Sequence, residues 1–204
     1  PMTCTVEWNA SPTPGTMSHW RQMRAQFSTL VQAWRVRFGF TSERVQSVEE
    51  VYQDFTDRQY WDALMDAYGW LTPQSEITEF RSDESGTDIV FRQNLPRMYL
   101  PPVARAVMPV DMIITREQHF APFDARTNSA RGRYKASVPL GPGHFGGSYQ
   151  LTDHGGTSRF RLTSVCKVNI PFVGGTLEQL ILSNITMLFD AEEAFTADWI
   201  SKHH

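Results

Sequence analysis

Apolar side chains at Leu177, Leu180, Ile181, Ile185, Leu188, Phe189, Phe195 and Trp199 recur at spacings of three and four, predicting one long amphipathic helix over residues 174–202. Such a helix needs an apolar surface to cover. Just upstream the period changes to two: Phe160, Leu162, Ser164, Cys166, Val168 and Ile170 face one way, and Arg159, Arg161, Thr163 and Lys167 the other. This strand, over residues 158–170, stops at Pro171 and turns through Gly174 and Gly175. About 13 residues of strand reach about 43 Å, and about 28 residues of helix reach about 42 Å. The matched lengths predict a helix lying across a curved antiparallel sheet, with an apolar cavity between the two.

The rest of the chain supplies that sheet. Residues 1–16, with Pro12, Pro14, Gly15 and several Ser and Thr, read as a flexible arm. Trp20, Met23, Phe27, Leu30, Val31 and Trp34 follow a helical period with Arg21 and Arg24 between them, so residues 17–34 form a helical extension. That extension packs on its own domain or on a second copy, as a homodimer; transient contact with an anionic membrane surface is the alternative. Val36, Phe38 and Phe40 alternate with polar residues and begin a first strand that runs to about Val45. Ser47 followed by Glu50 is a capping box that starts a short helix, and Asp57 caps a second one in which Trp61, Leu64, Met65 and Tyr68 make the apolar side and Gly69 the stop.

Strands over residues 76–81 and 87–95 follow, joined by a hairpin at Asp83, Glu84, Ser85 and Gly86; Ile89, Phe91, Gln93 and Leu95 share one face. Pro96, Pro101, Pro102 and Pro109 then punctuate an apolar connection containing Met98, Tyr99, Leu100, Val103 and Val107, which is read as a lid at a cavity mouth or as cover for the sheet edge. Residues 112–120, 127–138, 145–152 and 158–170 make a four-strand meander, in which Arg131, Arg133 and Lys135 face water and Tyr134 the interior. The expected fold is α+β: about seven antiparallel strands wrapped on a long C-terminal helix, with two short helices after the first strand, all within one domain over residues 35–204.

Four stretches resemble a bacterial family within the START-like (helix-grip, SRPBCC) superfamily. They are VQSVEEVYQDFTDRQYWDALMDAYG from Val45, LPRMYLPPVARAVMP from Leu95, NIPFVGGTLEQL from Asn169 and AFTADWI from Ala194. The resemblance runs from about Val36 to Ser201. It implies a hollow fold whose relatives bind lipids, sterols, polyketides or other apolar molecules and in some cases act on them. It carries no catalytic residue set onto this chain.

Composition narrows the function classes. A formal charge of -3 gives no global basic field, and no nucleic acid partner is expected. Cys4 and Cys166 sit in unlike contexts and suggest neither a disulfide framework nor a zinc site, and the six His lack zinc-binding spacing, so neither metal nor cofactor is expected. No apolar run reaches the ~18 residues of a membrane span, and a cytoplasmic location is the expectation. Gly141, Gly143 and Gly146 match G-x-G-x-x-G, but a strand rather than a helix follows, so they read as a hairpin loop instead of a nucleotide site.

Glu117 and His119 lie two apart on one strand face and are the candidates for an acid–base pair; a solvated surface pair is the competing reading. Asp153 and His154 are turn residues. Cys166 reads as a small buried hydrophobe. The expected ligand-binding wall is Phe91, Gln93, Met98, Tyr99, Phe120, Tyr134, Cys166, Leu180, Ile181 and Phe189, with Gln93, Tyr99 and Tyr134 able to orient a polar head. The function these features suggest is noncatalytic binding or transport of a hydrophobic, lipid-like or polyketide-like molecule. The alternatives are a cyclase, dehydratase or hydrolase using Glu117 and His119 in the same cavity, and an interaction protein whose core is filled by its own side chains.

Overall fold

The computed structural model describes residues 2–9, 47–69, 72, 74–100, 102–139, 141, 143–172 and 174–203. Ser47 opens helix α1 (Val48–Thr56) with a complete capping box: its hydroxyl accepts from the Glu50 amide at 3.1 Å, and the Glu50 carboxylate accepts from the Ser47 amide at 2.9 Å. Asp57, a single extended residue, ends α1 and caps α2 (Arg58–Tyr68) by accepting from the Gln59 amide at 2.9 Å. Both helices bury one face, formed by Val48, Val51 and Phe55 on α1 and by Tyr60, Trp61, Leu64, Met65 and Tyr68 on α2.

Six strands follow: β2 (Glu76–Asp83), β3 (Gly86–Leu95), β4 (Met112–Phe120), β5 (Ser129–Ser137), β6 (Gly143–His154) and β7 (Thr157–Val168). With β1 (Met2–Asn9) they form one antiparallel sheet in the order β1-β7-β6-β5-β4-β3-β2. A 3-10 turn (Arg97–Tyr99) and α3 (Pro102–Val107) connect β3 to β4, and α4 (Gly174–His203) closes the chain. The fold is α+β and of the helix-grip type, with two short helices and a long terminal helix against a seven-stranded sheet.

One expectation needs correction. Met2–Asn9 is not a flexible arm but a strand, paired with β7 from Met2 opposite Cys166 to Asn9 opposite Arg159. Its sequence alternates Met2, Cys4, Val6 and Trp8 with Thr3, Thr5 and Glu7, while the proline-rich composition that argued for flexibility begins only after Asn9. The helix expected over residues 17–34 and the strand expected over 36–45 lie outside the described residues. Gly143 and Gly146 belong to β6, opposite Val168 and Val165, and no helix follows them.

The inner face of the sheet follows the parity of each strand. Ile89 and Phe91 on β3, Phe120 on β4, Ala130, Tyr134 and Ala136 on β5, Tyr149 and Leu151 on β6, and Phe160, Leu162 and Cys166 on β7 are all buried. Helix α4 buries Leu177, Leu182, Phe189, Phe195 and Ile200; the Phe189 ring meets Tyr134 of the sheet, and the Phe195 ring meets Tyr60 of α2. Its first turn is tied to the end of β7, where the Val168 amide donates to Glu178 at 2.9 Å. Near its other end the Trp199 indole donates to Asp54 of α1 at 2.9 Å. The helix is therefore held at both ends and spans the space between. Among the described residues, no helix is long and apolar enough to cross a membrane.

Candidate functional site

Parity on β4 decides which polar groups enter the interior. With Phe120 inward, Gln118 and Arg116 must also point inward, and both are buried. Glu117 and His119 then point away from α4. Glu117 pairs with Lys135 at 2.8 Å and His119 with Asp88 at 2.7 Å, each across adjacent strands on the outer face. The acid–base pair expected from the sequence is thus outside the space between sheet and helix.

Arg116 sits under α4 and meets Glu192 in a two-pronged ion pair, Nη1 to Oε1 at 2.5 Å and Nη2 to Oε2 at 3.2 Å. Tyr68 of α2 donates a second hydrogen bond to Glu192 Oε1 at 2.6 Å. The guanidinium carbon lies 5.1, 5.5 and 4.9 Å from the ring centres of Phe91, Tyr134 and Phe189, so aromatic groups cover it. Gln118 Oε1 accepts from Arg116 Nη2 at 3.2 Å and from the Tyr149 hydroxyl. Two donors face that oxygen, which fixes the amide orientation and turns Gln118 Nε2 the other way. Thr196 donates to the Glu192 carbonyl at 2.7 Å, which leaves Tyr60 as the donor in its 2.8 Å contact with the Thr196 hydroxyl.

After these bonds are counted, Arg116 Nε and Gln118 Nε2 remain buried without a hydrogen-bond partner in the protein. Arg116 and the tyrosines around it are also fixed in protonation. Burial opposes the Arg116 charge, but Glu192 beside it more than compensates and holds its pKa well above the ordinary value. Burial, reinforced by Glu192, keeps the Tyr68 phenol protonated far beyond its usual range. Burial does the same for Tyr60 and Tyr149.

A cavity of about 20 Å³ opens beside this cluster. Its polar side is formed by Arg116, Gln118, Tyr149, Glu192, Glu193 and Thr196, and its apolar side by Phe55, Tyr60, Trp61, Phe120, Phe160 and Phe189. Two glycines make room for the tyrosines that approach it. A Cβ at Gly132 would fall 2.7 Å from the Tyr149 ring, and one at Gly147 would fall 2.7 Å from the Tyr134 ring and collide with the Thr163 carbonyl oxygen. The two rings tip over these glycines on neighbouring strands and stack with their centres 5.5 Å apart.

Of the residues expected to bind a ligand, Phe120 and Phe189 line the cavity, and Phe91 and Tyr134 lie one layer away against Arg116. Gln93 and Cys166 are buried elsewhere on the inner face, and Ile181 is half-buried. Burial, with Glu178 adding to it, pushes the Cys166 thiol up to about 11. Met98 is 74% exposed and belongs to no wall. Its segment is stitched down on itself by Arg97, which bonds Asp111, Met108 and Arg105, so Met98 is left on the outside. Tyr99 lies in the 3-10 turn and Leu180 in α4, and their side chains fall outside the described part of the structure. No described residue of the proline-rich connection lines the cavity, so the lid expectation gains nothing from it.

The polar residues of the site were not among those expected. The same parity that set Met112, Ile114 and Phe120 opposite Glu117 and His119 also selects Arg116 and Gln118, and this was the available signal. Glu192 carries no local signal, because it stands in the acidic run around Glu193 on a helix.

Among known proteins, "Uncharacterized protein Rv0481c" of Mycobacterium tuberculosis H37Rv is 28% identical over 171 residues, covering 81% of this chain and 97% of that protein. "Uncharacterized protein Mb0491c" of Mycobacterium bovis matches to the same extent, 28% identical with 81% and 97% coverage. Similar solved structures include TTHA0849 from Thermus thermophilus, at 19% identity, TM-score 0.46 and coverage of 74% of this chain and 89% of that one. Norcoclaurine synthase from Thalictrum flavum is similar at 13% identity and TM-score 0.46, with 99% and 88% of the two chains covered. Ara h 8.0201 is similar at 10% identity and TM-score 0.48, with 96% and 97% covered. A family match extends over residues 40–200, most of the sequence, and on it the chain belongs to the family described as "Protein of unknown function (DUF2505)".

Proposed function

We propose that the protein binds and carries a small hydrophobic molecule between the sheet and α4 without altering it, and that its family falls within the START-like superfamily. The observation that supports this most is the aromatic-walled cavity lined by Arg116 and Gln118, two residues whose buried donors Nε and Nε2 have no acceptor in the protein. A core built for stability alone has little use for them, since each unsatisfied buried group costs about 1–3 kcal/mol. A buried ion pair is likewise a weak stabiliser compared with apolar side chains of the same volume. The four stretches that resemble the superfamily, and the sheet with its gripping helix, favour the same reading.

The noncatalytic form of the proposal rests on the outward direction of Glu117 and His119 and on the fixed protonation of Arg116, Tyr60, Tyr68 and Tyr149. At about 20 Å³ the cavity has room for one water. A guest therefore enters by parting α4 from the sheet, and apolar burial of about 25 cal/mol per Å² offsets that opening. The small volume also favours a second reading, an interaction protein with a filled core. Titration with N-phenyl-1-naphthylamine separates the two: the carrier gives saturable fluorescence enhancement that a long-chain ketone reverses, whereas a filled core gives no saturable signal.

A further inference from the structure

We infer that the buried end of the guest is an uncharged hydrogen-bond acceptor, a carbonyl or hydroxyl oxygen, and that the site discriminates against carboxylates. This inference rests on the carrier reading and specifies its ligand class. The Glu192 carboxylate and the Gln118 amide oxygen are already engaged: Glu192 Oε1 takes Tyr68 and Arg116, Glu192 Oε2 takes Arg116, and Gln118 Oε1 takes Arg116 and Tyr149. What remains unpaired is donors, Arg116 Nε and Gln118 Nε2. An acceptor on the guest would satisfy these donors.

Charge decides which kind. Arg116 and Glu192 form a pair of zero net charge, with side chains 4% and 13% exposed. The faces of the guanidinium are shielded by Phe91, Tyr134 and Phe189, so its cationic charge is not presented as an open anion site. An incoming carboxylate would lose its hydration and gain no unpaired cation, and it would stand beside the Glu192 carboxylate. If it displaced Glu192 instead, that carboxylate would be left buried with only Tyr68 as partner. A carbonyl or hydroxyl oxygen loses far less on desolvation and satisfies the free donors.

The test is competition for bound N-phenyl-1-naphthylamine by 2-tridecanone, 1-dodecanol and dodecanoate on the full chain, at about pH 8 where the acid is ionised. The two neutral compounds should displace the dye at concentrations about tenfold or more below dodecanoate. Dodecanoate displacing equally well or better would overturn the inference while leaving the carrier reading standing. No saturable dye binding at all would overturn both. Glu192→Gln supplies a second readout in protein that folds, since it leaves Arg116 with an uncompensated charge and should reverse the order in favour of dodecanoate; an unchanged order in the folded variant would also overturn the inference. The comparison on the unmodified chain stands whether or not that variant folds.

Discussion

Breaking the Arg116–Glu192 pair one partner at a time, and then replacing both, tests whether it is kept for the cavity or for the fold. At about 4 Å and an effective dielectric near 20, opposite charges attract by about 4 kcal/mol. The buried, two-pronged geometry at 2.5 and 3.2 Å means that either single loss leaves a charge uncompensated. Arg116→Met should therefore destabilise by about 3–5 kcal/mol. Glu192→Met should be worse, because it also strands the Tyr68 hydroxyl at about 1–3 kcal/mol. For a chain of this size each kcal/mol moves Tm by about 2–4 °C, so the single variants should melt about 6–20 °C lower or more. In the double variant neither charge of this pair remains, and two Met side chains fill the same region. Its stability should return to within about 3 kcal/mol of the starting protein, the remainder being the stranded Tyr68 hydroxyl, while its preference for a polar-ended guest over a hydrocarbon of equal length disappears. Urea unfolding followed by circular dichroism supplies the cycle. If the double variant is as unstable as the two single losses added together, the pair stabilises the fold directly and the reasoning fails.

Alkaline pH should weaken the fold. Tyr60, Tyr68 and Tyr149 have raised pKa values, and burial pushes Cys166 up to about 11. The unfolded chain releases these protons at about 8.5–10 while the folded chain keeps them, so stability is full below that range and falls as pH rises through it; the urea midpoint should drop between about pH 8 and about pH 10.5, and an unchanged midpoint contradicts this. Cys166 should react with iodoacetamide near neutral pH only as fast as the protein opens, read at that residue by peptide mass spectrometry; prompt labelling of the folded chain would show that the thiol is not buried. Gly147→Ala drives a methyl group into the Thr163 carbonyl oxygen and to 2.7 Å from the Tyr134 ring, so thermal melts should show a loss of at least about 1–3 kcal/mol.

How much was legible in the chain follows from the range of each interaction. The helix over Gly174–His203 and strands β4 to β7 have clear periods of 3.6 and 2, and the Ser47–Glu50 box is a local hydrogen-bond motif, so their positions lie close to those expected. The edge strand Met2–Asn9 has the same alternation but was masked by the composition of the residues after it. The site was harder. Glu117 and His119 attract notice as an acid beside a base, yet one residue of parity puts them on the wrong face, and their partners Lys135 and Asp88 lie on neighbouring strands. Arg116 and Glu192 are 76 positions apart, and neither differs locally from a surface charge. Only the closure of α4 over β4 makes them a pair. Met98 went astray because an apolar side chain in a proline-rich connection gives no clue to which side of the loop it occupies.

The central claim, that the protein carries a small hydrophobic guest, is tested most directly by native mass spectrometry of gently purified protein before and after extraction with organic solvent. The carrier account predicts added mass on part of the population that extraction removes and that reincubation with 2-tridecanone restores in one-to-one ratio. An apo mass in every preparation, with none of the ketone retained, would contradict it.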